Sequence, residues 1–253
     1  MDDFADIELK DALARGQVSE IASWLDERAP HDIAEEFTRL DAVQSALVWR
    51  LLGRDRALEV FEELDSTEQQ ELLSGMRDQA FREILESMDP DDRARMLGEA
   101  PAVFVHRVLQ GLSPKERAMT ASLLGYPEGS VGRVMSPEVV TVPEGTPVSD
   151  ILEVVRRKGQ DAETIDILAV VDGARKMVGL VGLSQVVMAS SQLTAGDLAD
   201  RAAPSIAVTD NAERAARLVQ ETNRLGLLVV DSEDRVLGVL TVDDALEVIE
   251  EAD

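Results

Sequence analysis

Apolar side chains in the first half of the chain recur at intervals of three or four within a longer period of twelve. Cut from Ala29, the blocks read APHDIAEEFTRL, DAVQSALVWRLL, GRDRALEVFEEL, DSTEQQELLSGM, RDQAFREILESM, DPDDRARMLGEA, PAVFVHRVLQGL and SPKERAMTASLL. Their ninth positions are Phe37, Trp49, Phe61, Leu73, Leu85, Leu97, Leu109 and Ala121. Their twelfth positions are Leu40, Leu52, Leu64, Met76, Met88, Ala100, Leu112 and Leu124. Three-and-four spacing predicts a short helix in each block. Most first positions are Asp, Gly, Ser or Pro, which suit turns and N-caps. Helices this short do not persist alone, so the period predicts stacking around one continuous core. The expected architecture is a right-handed α-solenoid of short helices. An amphipathic helical pair over residues 3–28 precedes it. Trp24 and Trp49 read as core, His31 as a turn or cap residue, and His106 as a partly buried helix residue.

The pattern changes at Tyr126-Pro-Glu-Gly-Ser. Val and Ile clusters appear, and Pro137, Pro143 and Pro147 punctuate them. A longer repeat now emerges: LAVVDGARKMVGLVGLSQVV (Leu168–Val187) aligns with LLVVDSEDRVLGVLTVDDAL (Leu227–Leu246). Asp172 and Asp231 stand seven residues before Gly179 and Gly238. Upstream, SPEVVTVPEGTPVSDILEVV matches APSIAVTDNAERAARLV. Each copy predicts strand, helix, strand, tight turn, strand, helix. The runs Ile167–Val171, Leu225–Val230 and Val236–Leu240 read as buried strands, joined by turns at Asp172-Gly173 and Ser232-Glu-Asp234. The expected divisions are a helical domain over 1–126, a connector over 127–133, and two repeat units over 134–194 and 195–253. The fold class is therefore α plus α/β.

Charge narrows the function. Fifty acidic against 25 basic residues give a formal charge of −25, which repels phosphate backbones and anionic lipid and attracts cations. No nucleic-acid partner is expected. The absence of Cys removes disulfides, thiolate nucleophiles and Cys-type metal sites. Two His leave little for a His-rich metal site, and no Ser or Thr stands in a recognisable nucleophile–base set. An enzyme is not expected. No run approaches the ~18 apolar residues of a membrane span, and Met-Asp-Asp-Phe is unlike a signal peptide, so a cytoplasmic location is expected. Carboxylates are the remaining chemistry. They cluster at Glu59/Glu62/Glu63, Asp89/Asp91/Asp92, Asp210/Glu213, Asp243/Asp244/Glu247 and Glu250/Glu251/Asp253. Two carboxylates ~4 Å apart repel by ~4 kcal/mol at an effective dielectric near ~20, and a divalent cation between them reverses that sign. Mg²⁺ keeps several waters, so one or two carboxylates per ion suffice.

The tandem unit resembles a pair of CBS domains. The full order resembles the cytosolic region of MgtE-type magnesium channels across nearly the whole chain. That order is a 12-residue helical array, YPEGSVGRVMSPEVVTV, the DAETI insert (residues 161–165), and a second copy ending in GVLTVDDALEVIEE. In that family a connecting helix and a transmembrane pore follow; no such segment lies within these residues, and the pore is the expected partner. Self-association of CBS pairs implies a homodimer. The resemblance implies Mg²⁺ ligands at Glu59, Asp91, Glu213, Asp244 and Glu247, with a backbone carbonyl near Gly132. Arg95, Asn211 and Asn223 stand where further acids are expected, which lowers the implied number of sites. The resemblance also implies an adenine nucleotide, ATP or AMP. Of that motif the second copy keeps Thr241 and Asp244, whereas the first has Gly182-Leu-Ser-Gln185. The expected function is a Mg²⁺-sensing regulatory region that draws acidic domains together and gates ion transport. The alternatives are an adenylate sensor and a protein-interaction adaptor.

Overall fold

A computed structural model describes residues 9–15, 17–37, 39–75, 78–98 and 100–252. Helices α1 (Leu9–Arg15) and α2 (Val18–Glu27) form the N-terminal pair expected over 3–28; its first residues lie outside the described ones. There follow α3 (Pro30–Phe37), α4 (Ala42–Leu51), α5 (Arg54–Glu62), α6 (Ser66–Gly75), α7 (Asp78–Ser87), α8 (Pro90–Gly98), α9 (Ala102–Gly111) and α10 (Pro114–Leu124). Every one of these eight begins at the second position of its 12-residue block. The first positions cap them where chemistry allows. Asp41 Oδ1 accepts from Gln44 N while Gln44 Oε1 accepts from Asp41 N, and Asp65 and Glu68 repeat the exchange.

By internal contacts the chain forms two compact units. The first comprises residues 1–88 and 99–114, the second residues 89–98 and 115–253. In the first, α1 and α2 pack on each other, and beyond them helices pack on the helix two along: α2 on α4, α3 on α5, α4 on α6, α7 on α9. Ninth-position residues supply the core: Phe61, Leu73 and Leu85 are fully buried, and Trp49 is set edge-on between Phe37 and Phe61, at centroid distances of 6.2 and 6.0 Å. Trp24 and Trp49 are half-buried rather than enclosed, and the Arg28 guanidinium lies 5.2 Å from the Trp24 ring. His106 is exposed, not partly buried, because it points from the outer side of α9 towards Gln110. His31 lies exposed on the first turn of α3 beside Asp32.

The second unit holds α8 and α10 together with the repeat copies. After α11 (Val131–Val134) come β1 (Val139–Pro143), α12 (Val148–Lys158), β2 (Thr164–Val171), β3 (Met177–Gly182), α13 (Leu183–Met188) and α14 (Ala195–Leu198). The second copy is β4 (Ser205–Ala207), α15 (Ala212–Thr222), β5 (Gly226–Val230), β6 (Val236–Thr241) and α16 (Val242–Ala252). Each copy builds a three-stranded sheet, parallel in its first pairing and antiparallel in its second. The repeated Asp residues make the hairpins. Asp172 Oδ1 accepts from the N–H groups of Ala174 and Lys176, and Asp231 Oδ1 from those of Glu233 and Arg235. The repeated glycines admit a neighbouring backbone: a Cβ at Gly179 would lie 2.7 Å from the Asp200 carbonyl oxygen, and one at Gly238 would strike that of Ser136. The sheets meet through Ile167, Ala169, Leu180, Leu228, Val230 and Val239.

Candidate cation site

Within the second unit, α8 is fixed by one buried cation. The Arg93 side chain is fully buried; its Nε donates to Thr120 Oγ1 at 3.1 Å and its Nη2 pairs with Glu116, both on α10. Ala94, Met96 and Leu97 are buried on the same helix. Pro90 opens it, where a missing N–H costs nothing. With that rotation set, Asp91, Asp92 and Arg95 share one stripe at three- and four-residue spacing. They line a small open cavity with Val134 of α11 and with Asp244, Glu247 and Val248 of α16. The α16 residues also follow helical spacing, because Asp244 lies in the first turn and Glu247 and Val248 one turn on.

Asp91 is 5% exposed, and its Oδ1 is buried with no hydrogen-bond partner. Burial pushes its carboxyl well above the ordinary range, and the charges of Asp244, Asp92 and Glu163 push the same way. Asp244 is raised to about 6 by burial, against the hydrogen bonds of Thr241, with Asp243 and Asp92 adding to the rise. Glu163 is raised to about 7, first by burial and then by Asp89 and Asp244. Asp92 is raised by burial although Arg95 pulls it down.

An internal comparison isolates the cause. Thr194-x-x-Asp197 forms the same capping box at the start of α14 as Thr241-x-x-Asp244 forms at α16. Asp197 is exposed and its carboxyl is lowered by the cap; Asp244 carries the same cap and is raised. The acidic, half-buried surroundings make the difference. Arg95 offsets part of this negative charge, and the remaining carboxylates are held together against their own repulsion.

Of the residues expected to bind cations, Asp91, Asp244 and Glu247 come together in this cavity. Gly132 sits in α11, the helix that carries Val134. It is buried, its N–H donates to the Val208 carbonyl, and a Cβ there would strike the Tyr126 ring. Glu213 lies in the first turn of α15 and accepts from Arg217 at 2.6 Å. Glu59 lies in the helical unit, exposed, and accepts from Arg56 at 2.9 Å. Thr241 is buried and engaged with Asp244 in the cap; at the matching place of the first copy, Gln185 Oε1 accepts from Gly182 N instead. Glu163 and Asp92 were not singled out as ligands from sequence. Glu163 stands within the DAETI insert, and Asp92 follows Asp91 directly.

The donor set fits a hard, hydrated divalent cation. It offers carboxylate oxygens, one of them buried and unpartnered, beside an open cavity. Among the described residues no three His or carboxylate side chains are gathered closely enough to hold an ion alone. Water would have to complete the coordination of an ion held here, an arrangement Mg²⁺ accepts. Among the described residues no helix is long and apolar enough to cross a membrane.

Residues 28–129 match the MgtE intracellular N domain, and residues 131–192 and 195–251 each match a CBS domain. The chain is 33% identical over 248 residues to the magnesium transporter MgtE of Thermus thermophilus, covering 96% of this chain and 55% of that protein. It is 26% identical over 242 residues to MgtE of Bacillus subtilis, covering 95% and 54%. It thus spans about half the length of these relatives. The crystal structure of the cytosolic domain of the Mg²⁺ channel MgtE in complex with ATP superposes with a TM-score of 0.87 at 32% identity, covering 96% of this chain and 99% of that one. The soluble part of a magnesium transporter shares the fold, with a TM-score of 0.82 at 23% identity and 96% coverage of both chains. A helical N-terminal region leading into a CBS pair, matched along nearly its whole length, places this chain in the family of MgtE cytosolic domains.

Proposed function

We propose that this chain is the Mg²⁺-responsive regulatory region of a magnesium channel or transporter, without catalytic activity of its own, at the cytoplasmic face of the membrane. The observation that carries the reading is the buried, unpartnered Asp91 Oδ1 set among Asp92, Asp244 and Glu163. Asp91 and Asp244 would hold the ion, with Glu247, paired with Arg95, at the edge of the same cavity. When bound, Mg²⁺ supplies the positive charge and the water ligands that these oxygens lack. The carboxylates of α8 and α16 then attract through a common partner instead of repelling. Helix α8 is continuous in the chain with the helical unit at both ends. An ion that prefers the fastened form shifts the population towards it by its differential affinity. Glu59, which is exposed, and Glu213, which is half-buried, would add weaker sites. Coupling of this shift to a transmembrane pore completes the proposed role. Self-association through α13 and α16 is consistent with the exposed Val187, Met188, Val242 and Leu246, of which Val187 and Leu246 stand at matching places of the two copies.

Adenine nucleotide is a second ligand in this reading. Thr241 and Asp244 persist, and the structural relative is an ATP complex. Asp244 would serve both ligands, so nucleotide and cation binding would be coupled.

Asp91→Asn tests the cation reading. The metal-free variant should be more stable than the parent by about 1–3 kcal/mol, because a neutral amide replaces an unsatisfied carboxylate. Thermal unfolding should show millimolar Mg²⁺ raising the parent's midpoint and scarcely moving that of the variant. Equal Mg²⁺ shifts in the two proteins would refute the role of Asp91.

A further inference from the structure

The cavity already contains a cation of the protein's own. Arg95 reaches across it: Nη2 pairs with Asp92 on its own helix at 2.5 Å, and Nη1 pairs with Glu247 on α16. Both carboxylates belong to the acidic lining, and the Arg95 side chain is 31% exposed, so the pairing is partly desolvated. A guanidinium is planar, always charged and able to serve two carboxylates at once. From this geometry we propose that Arg95 is a resident counter-ion that takes the place of one divalent cation between α8 and α16. This inference rests on the cation reading of the same cavity and adds the regulation of its threshold.

Two consequences follow from the residue positions. First, Glu247 and Asp92 are occupied without any metal, so part of the fastening of α8 to α16 is permanent. Second, an ion seeking Glu247 must displace Arg95, so added ions settle at the Asp91–Asp244 end of the cavity. The chain therefore holds fewer divalent ions here than its carboxylates alone would admit. Its response is a partial tightening of a contact that already exists.

Arg95→Gln keeps a side chain of similar reach and removes the charge. Amide hydrogen exchange of residues 90–98 reads the fastening directly. In chelator, α8 of Arg95→Gln should exchange about fivefold faster than in the parent, the scale of a partly exposed ion pair. Millimolar Mg²⁺ should return it to the parent's rate. Equilibrium dialysis with Mn²⁺ should find an additional ion bound per chain of Arg95→Gln. Arg95→Lys, which keeps the charge without the fork, should exchange closer to the parent than to the Gln variant. The proposal is overturned if Arg95→Gln exchanges like the parent in chelator, if Mg²⁺ leaves it fast, or if the Lys and Gln variants behave alike. The chelator arm does not involve Mg²⁺. If Asp91→Asn keeps the parent's full Mg²⁺ shift, the reading of Asp91 fails while the Arg95 tether is still judged on its own result.

Discussion

Metal-free protein should lose about 3 kcal/mol of stability as pH rises from about 4 to about 7, and Mg²⁺ should remove most of that loss. The sign follows from the direction of the shifts. Asp244 and Glu163 are raised from 3.8 to about 6 and from 4.5 to about 7, and Asp91 is raised well above 3.8. Between the unfolded and folded values the native chain binds more protons than the unfolded one, so stability falls with rising pH. The contribution is complete below about pH 4 and gone once pH passes the folded values of about 6 and 7. Asp244 and Glu163 retain solvent contact, and all three groups feel each other's field, which holds the sum near about 3 kcal/mol. Asp197, Asp200 and Asp231 shift the opposite way, below 3.8, so their contribution is lost only in more acidic solution and leaves this window clear. Urea unfolding at a series of pH values, with chelator and with Mg²⁺, measures the effect. A metal-free curve that rises from pH 4 to pH 7 would contradict the account.

Replacing Arg93 with Met should destabilise the second unit by about 3–5 kcal/mol, the cost of leaving a buried charge without its partner. Glu116, whose side chain is only 14% exposed, would keep its charge with the exposed Lys115 ammonium 3.7 Å away in place of the buried guanidinium, and Thr120 Oγ1 would lose its donor. The defect should also be functional. Arg93 sets the rotation that presents Asp91 and Asp92 to α16, so Arg93→Met should lose the Mg²⁺-dependent rise in midpoint along with its stability. The double variant Arg93→Met with Glu116→Gln should recover part of the stability, because the carboxylate that has lost its buried guanidinium is neutralised. Circular dichroism during urea unfolding distinguishes these outcomes. A single variant within about 1 kcal/mol of the parent would show that α8 is held by its apolar side chains alone.

The sequence is most legible where one physical rule acts alone. The 12-residue period places the first residue of each helix from α3 to α10, because turn chemistry and apolar spacing recur together. Asp172, Gly179, Asp231 and Gly238 mark hairpins and close backbone approaches, because few residues satisfy those local demands. The candidate cation site was legible only in part. Asp91, Asp244 and Glu247 were accessible through the family resemblance, but many acids in this chain share their local patterns. Asp197 has the same Thr-x-x-Asp cap as Asp244 and remains an ordinary exposed carboxylate. What separates the two is burial and neighbours distant in sequence, which periodicity does not encode. Glu163 illustrates the same limit, since its environment is made by Asp89 and Asp244. The attachment of α8 and α10 to the sheet-containing unit was likewise invisible, because their blocks obey the same period as the rest of the array.

The central claim is that the carboxylates of α8 and the start of α16 share a divalent cation. Crystals of the unmodified chain grown with Mn²⁺ and measured at the manganese absorption edge test it most directly. The account predicts an anomalous peak bonded to Asp91 Oδ1, with Asp244 as the facing carboxylate and water in the remaining positions. Manganese bound elsewhere on the chain, with none at Asp91, would contradict it.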